Sequence, residues 1–324
     1  MIVLRKIIRH GAVKMPKKKS RRISNWSEYN KALVNRGSLT FWFNEDTMNA
    51  WINKRGLSKR GRPTLYSDLA IEFCLTIKAL FKLPLRATQG FVQSIFKIMN
   101  ISLPVPDYTS LCKRQKTLKI TLTKQKQRNK KLHIVVDSTG LKVFGEGEWK
   151  VRKHGKEKRR TWLKLHLAID ESTNSIEAAM LTADDVHDCE TLSNMLGQID
   201  GDIDQVTGDG AYDTHDSYQA VIDVGAKPCF PPRVNATRNK ATDEAWRLRN
   251  HAVSQVGYHD LKYWKKKNNY HRRSLSETAM YRMKQLMGDH VQARTIERQS
   301  REIGIKCSIL NKMTQLGMPN YVIC

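Results

Sequence analysis

"LHIVVDSTGLKVF", residues 132–144, reads as a strand around which the remaining elements arrange themselves. Ile134, Val135 and Val136 are β-branched and apolar in succession, the pattern of a strand buried on both faces. The run gives way at Asp137 to Ser138, Thr139 and Gly140, so this reading puts Asp137 at the end of a buried strand. Working downstream, "TWLKLHLAID" (161–170) alternates as a second strand. "SIEAAMLT" (175–182) pairs with it after an Asn-containing turn. "CETLSNMLGQI" (189–199) reads as a helix, and "QVTGDGAYD" (205–213) as a strand leaving into a glycine-rich turn. A helix near 215–224 and a last, proline-limited strand in "AKPCFPPR" (226–233) follow. Strands first, then helix and strand in alternation, give an α/β fold with a mixed sheet flanked by helices. Residues 234–268 are polar, basic and poorly periodic, and are read as an insertion.

Upstream the chain changes character. Of 57 Lys and Arg residues, 28 lie in residues 1–130, against 6 of the 31 Asp and Glu; the rest of the chain is nearly balanced. A polycation joined to a neutral body is what binding to a phosphate backbone requires. Within it, "SDLAIEFCLTIKALFKL" (67–83) is a helix capped by Ser67 and stopped by Pro84. "RATQGFVQSIFKIMN" (86–100) is a second helix, and "DYTSLCKRQKTLKI" (107–120) a third. The third carries Lys113, Arg114 and Lys116. Three short helices ending in a basic one fit a helix-turn-helix reader with Lys113 and Arg114 on DNA, and equally a bundle with a solvated basic face. Arg60-Gly61-Arg62-Pro63 reads as a minor-groove arm or as a linker.

No apolar run approaches the length of a membrane span. The cysteines at 74, 112, 189, 229, 307 and 324 show no C-x-x-C spacing, which argues against zinc and for a reducing cytoplasm. The histidines show no consistent ligand spacing, and none is assigned.

Three acids carry the chemistry. Asp137 and Asp209 each stand where an apolar strand ends, and strand ends of α/β sheets are where ligand crevices form. The third is Glu277, in "YHRRSLSETAMYRMK" (270–284). On a helix turning about 100° per residue, Tyr270, Arg273, Glu277 and Lys284 share an arc of about 60°. Leu275, Ala279, Met283, Leu286 and Met287 take the opposite side. Each acid has a plain alternative. Asp137 and Asp209 could form turns beside glycine, and Ser274 to Glu277 matches a capping box. Three convergent carboxylates would repel one another, and a hard divalent cation, Mg²⁺ or Mn²⁺, resolves that. Arg273 and Lys284 would then hold DNA phosphates beside it. Asp213 is read as ordering its loop, and Asp184, Asp185 and Asp188 as a polar turn and helix cap.

The spacing Tyr270-x2-Arg273-x3-Glu277-x6-Lys284 resembles the Y-R-E-K signature of DDE transposases of the insertion-sequence 4 and 5 superfamily. "DSTGLKVFGEGEWKVRKHG", "TGDGAYD" and "PDYTSLCKR" are similar to the insertion-sequence 5 family, in the group typified by insertion sequence 903. The resemblance runs from about residue 20 to the C-terminus. It implies an RNase H-like core in which Asp137, Asp209 and Glu277 form a catalytic, metal-binding triad. Tyr270, Arg273 and Lys284 would lie near DNA. It implies Mg²⁺ or Mn²⁺ as cofactor, double-stranded DNA as partner, self-association into a dimer or larger complex, and a bacterial cytoplasm. The expected organisation is an extension over 1–14, a basic helical DNA-binding region and linker over 15–130, a catalytic domain over 131–300, and a tail over 301–324. A DNA-binding regulator derived from such an enzyme, or a nuclease that cuts without joining, are the rival readings.

Overall fold

The computed structural model describes residues 21–53, 64–123, 130–143 and 162–323. The expected extension, the Arg60–Pro63 arm, most of the charged linker and the stretch 144–161 lie outside the described residues.

The N-terminal part contains β1 (Arg21–Ile23), α1 (Trp26–Asn35), α2 (Leu39–Trp42), α3 (Glu45–Asn49), α4 (Asp68–Leu80), α5 (Leu85–Ile98) and α6 (Tyr108–Thr117). Ser67 caps α4 by accepting from Ala70 N, as its position predicts, and Asp107 caps α6 by accepting from Thr109 N and Ser110 N. The aromatic residues that precede α4 have a structural use. Phe43, Trp51, Phe73 and Phe96 pack with ring centroids 4.8 to 5.8 Å apart, and Trp51 Nε1 donates to Pro104 O at 2.7 Å. Such pairs contribute about 0.5–1.5 kcal/mol each beyond their buried area.

The second part runs β2 (Leu132–Val143), β3 (Trp162–Asp170), β4 (Ile176–Ala183), α7 (Leu192–Leu196), β5 (Ile203–Thr207), α8 (His215–Asp223), β6 (Lys227–Cys229), α9 (Glu244–His259), α10 (Leu261–Lys267), α11 (Ser274–Met287), β7 (His290–Val291), α12 (Ile296–Leu316) and β8 (Tyr321–Ile323). Strand order in the main sheet is β4-β3-β2-β5-β6, with β7 also paired to β2. The first three strands are antiparallel, whereas β5, β6 and β7 run parallel to their neighbours. This is the RNase H-like arrangement. The short β1 pairs antiparallel with β8.

Helices cover both faces. On one, Leu141 of β2 and Leu163, Leu165, Leu167 and Ile169 of β3 pack with α4, α5, α6, α11 and α12. On the other, Ile134, Val136 and Ala168 pack with α7 and α8. The alternation of β3 follows from this two-sided burial.

Several expectations shift. Residues 301–316, read as the start of a tail, form most of α12, whose Ile303, Ile305, Ile309, Leu310 and Met313 are buried. The basic N-terminal helices share a core with the sheet, so the expected border near 130 does not separate two hydrophobic cores. α12 also closes the sheet edge: Asn311 Nδ2 donates to Ile176 O at 2.9 Å and its Oδ1 accepts from Ile176 N at 2.8 Å. The insertion is helical, as α9 and α10. No helix among the described residues is long and apolar enough to cross a membrane.

Candidate functional site

Asp137 sits inside β2, not at its end, because the strand continues to Val143 through pairing with β3 and β7. What ends near Asp137 is the parallel ladder with β5, whose last pair is Val135 and Thr207. Continued by two residues, that register would set Asp209 opposite Asp137. The two acids therefore lie where β5 leaves the sheet, a place suited to a ligand crevice. Asp209 N-caps the turn Gly210–Tyr212, accepting from Ala211 N at 2.8 Å. Gly208 is required there by close approach: a Cβ on it would fall 2.6 Å from Tyr212 Cδ2 and 3.0 Å from Val136 Cγ2.

Glu277 comes from α11, which crosses the face of β2 on which Asp137 points. The segment is not one continuous α-helix, since Tyr270–Arg273 forms a 3₁₀ turn before Ser274. No capping box forms; Arg273 occupies the N-cap position without a side-chain cap bond, and Ser274 Oγ donates to His271 O. The buried face consists of Ser276, Ala279, Met280, Met283 and Met287, while Leu286 is exposed.

Arg273 joins two of the acids. Its Nη1 donates to Asp137 Oδ2 at 2.8 Å, and its Nη2 donates to Glu277 Oε1. Asp137 also accepts from Ser138 N at 2.9 Å and Ser276 Oγ at 3.0 Å. Burial pushes the Asp137 carboxyl above the ordinary aspartate value; Arg273 opposes the shift and Asp209 adds to it. Burial works against the Arg273 cation, but Asp137, Tyr270 and Glu277 hold it above the usual guanidinium value.

Arg273 thus links Asp137 to Glu277, and Asp209 lies near enough to Asp137 for its charge to raise that carboxyl. Lys284 lies further along α11 and donates from Nζ to Thr139 Oγ1 at 2.6 Å, two residues from Asp137. Tyr270 is buried against Trp264, with ring centroids 5.8 Å apart, and burial pushes its hydroxyl up to about 12. On α6, Lys113 is exposed, whereas Arg114 is engaged by Asp68 and by Tyr66 O at 2.7 Å.

Two features escape a reading of the sequence. Asp188 is no helix cap, that position belonging to His187. It accepts from Ser138 Oγ at 2.8 Å and Lys164 Nζ at 3.2 Å on the opposite side of β2. The pairing of Ser138 with His166 and Gly140 with Lys164 places these groups on a shared face. Tyr212 is fully buried with its hydroxyl raised well above its ordinary value by burial, and Asp188, Asp137 and Asp209 add to the shift.

Asp213 has a structural use. Its carboxylate receives Arg249 Nε at 2.9 Å and Arg233 N at 3.0 Å. Arg233 Nε and Nη2 in turn donate to Gly210 O and Ala211 O at 3.0 and 3.1 Å. Arg233 and Arg249 therefore bolt α9 to the turn that carries Asp209.

Three carboxylates are hard oxygen donors of the kind that Mg²⁺ and Mn²⁺ favour. Among the described residues no three such side chains yet form a metal-holding cluster. The place between Asp137 and Glu277 is taken by the Arg273 guanidinium, a cation that meets the same charge requirement. The donors fit a divalent cation in kind, while Arg273 bridges two of them and Asp209 is engaged as the cap of its turn.

Among solved structures, the chain is similar to one described as the cryo-EM structure of a piggyBac transposase synaptic complex with hairpin DNA. Identity is 12%, coverage is 90% of this chain and 76% of that chain, and the TM-score is 0.37. Likeness at that level bears on neither site nor partner. Two family models described as "Transposase DDE domain" match residues 34–146 and residues 128–312. The second spans more than half of the sequence and contains all three acids, and the chain belongs to the DDE transposase family.

Proposed function

We propose that this transposase binds the terminal inverted repeats of an insertion sequence, cleaves DNA at those ends and joins the released strands to target DNA. The finer membership proposed is the insertion-sequence 5 family, supported by the spacing of Tyr270, Arg273, Glu277 and Lys284. The observation that carries the reading is the meeting of Asp137 and Glu277 at one guanidinium, beside the turn that bears Asp209.

Asp137, Asp209 and Glu277 would hold Mg²⁺ or Mn²⁺, and a cation so bound supplies charge neutralisation at the scissile phosphate. The remaining roles fall to the chain. Ser138 N and Ser276 Oγ hold Asp137 in place. Arg273, released from the acids, would bind a phosphate of the incoming strand, and Lys284 lies on the same helix to bind another. Lys113 of α6 is free to meet the backbone outside the catalytic centre. Joining two ends needs at least two protomers, which implies self-association on DNA.

No nucleophilic Ser, Tyr or Cys paired with a base is needed for direct transesterification. A regulator that only binds DNA has no use for a largely buried Asp137 bridged through Arg273 to Glu277, which favours the enzyme. The test is a strand-transfer assay on DNA carrying the element ends. Asp209→Ala should abolish cleavage and joining while end binding persists. Cleavage retained in that variant would reassign the site; cleavage without joining in the wild type would make the protein a nuclease.

A further inference from the structure

The arginines and lysines between residues 233 and 249 divide sharply in use. Arg233 and Arg249 are engaged internally, on Asp213 and on the carbonyls of the Asp209 turn. Arg238, Lys240 and Arg247 are exposed and have no ion-pair partner among the described residues. These three surround a cleft of about 570 Å³ between the loop 238–242 and α9.

The cleft is built, not incidental. Asn250 clamps the loop from both sides, its Oδ1 accepting from Asn239 N and its Nδ2 donating to Asn239 O, each at 2.8 Å. Asn239 Oδ1 accepts from Ala241 N at 2.8 Å, and Arg249 Nη1 donates to Thr237 O at 3.0 Å. Along α9, Arg247, Asn250, His251 and Ser254 follow at helical spacing and line the opposite wall. No acidic residue lines the cleft. Three exposed cations set around a clamped loop, with no carboxylate in the lining to neutralise them, suit phosphate oxygens.

We infer that this cleft binds backbone phosphate of the DNA strand that approaches the active site from the Asp209 side. The inference rests on the proposed function for its ligand and adds the position. The helix that supplies Arg247 also supplies Arg249, which grips Asp213 four residues from Asp209. A phosphate seated in the cleft is thus held in fixed register with the acids. The cleft sets which bond along the strand meets them.

The test compares the full chain with the triple variant R238Q/K240Q/R247Q and the charge-retaining triple R238K/K240R/R247K, on duplex DNA containing the element end. Losing one or two phosphate contacts should lower the slope of log K against log salt by about 1–2. Ethylation of one or two discrete phosphates should interfere with wild-type binding, and that interference should vanish in the glutamine triple but persist in the charge-retaining one. Unchanged melting of both variants excludes unfolding as the cause. A glutamine triple with the wild-type slope and interference pattern would overturn the inference while leaving the function standing. Inorganic phosphate that stabilises the wild type but not the glutamine triple, with the DNA slope unchanged, would assign the cleft to free phosphate and overturn it as well. Wild-type protein that binds no DNA would overturn the function, and the assignment of the cleft with it.

Discussion

Replacing Arg273 by glutamine removes the cation shared by Asp137 and Glu277, and the two halves of that loss should differ. The Asp137 side chain is 13% exposed, that of Glu277 56%. Removing one partner of a fully buried pair costs about 3–5 kcal/mol. Asp137 keeps its bonds from Ser138 N and Ser276 Oγ and some contact with water, which reduces the expected loss to about 1–2 kcal/mol. The Glu277 arm is an exposed i,i+4 pair contributing about 0.5 kcal/mol or less. Urea unfolding of R273Q, D137N, E277Q and the two double variants, without divalent cations, separates these terms as coupling energies. pH gives a further check. Arg273 opposes the upward shift of Asp137, so its removal raises that carboxyl further. The deficit of R273Q is therefore full above the Asp137 pKa and shrinks as pH falls through it, where the group is protonated in both proteins. A neutral R273Q, or a coupling to Glu277 larger than that to Asp137, would refute the bridging geometry.

Two other substitutions probe the supports of the site. Gly208→Ala puts a methyl group against the Tyr212 ring and Val136; it should cost about 1–3 kcal/mol, measured by denaturant unfolding, and also lower DNA cleavage by displacing the Asp209 turn. Asp107 accepts from both Thr109 and Ser110, which hold its carboxyl at about 2. A depressed folded-state pKa means that the stabilisation is present above the ordinary value of 3.8 and lost as pH falls toward 2. Asp107→Ala should therefore cost about 1 kcal/mol at neutral pH, and Asp107→Asn should flatten the acid limb of an unfolding curve.

Where apolar periodicity is strong, the sequence was legible. The run at 134–136, the alternation of 162–170 and the caps at Ser67 and Asp107 all specify elements that form. Asp137 reads as the end of the hydrophobic strand because Ser138 to Val143 is half polar; pairing to β3 and β7 keeps that half extended. α9 gave no apolar period since its anchors are polar, Arg249 on Asp213 and Asn250 on Asn239. α12 was hidden in the same way, with Glu302, Lys306 and Asn311 buried among its apolar residues. Lys306 Nζ meets His290 O at 2.7 Å and Glu302 accepts from Gln292 N and Ala293 N, so these polar groups are satisfied. At the candidate site, spacing along one helix gave the pairing of Arg273 with Glu277. It could not give the partnership of Arg273 with Asp137, which are 136 residues apart.

In the proposed function Asp137, Asp209 and Glu277 act as one cation site. Mn²⁺ binding, followed by electron paramagnetic resonance on protein loaded with end-containing DNA, tests it most directly. D137N, D209N and E277Q should each weaken Mn²⁺ binding by at least about tenfold while DNA affinity stays near that of the wild type. Any one of the three that binds Mn²⁺ as the wild type does would contradict it.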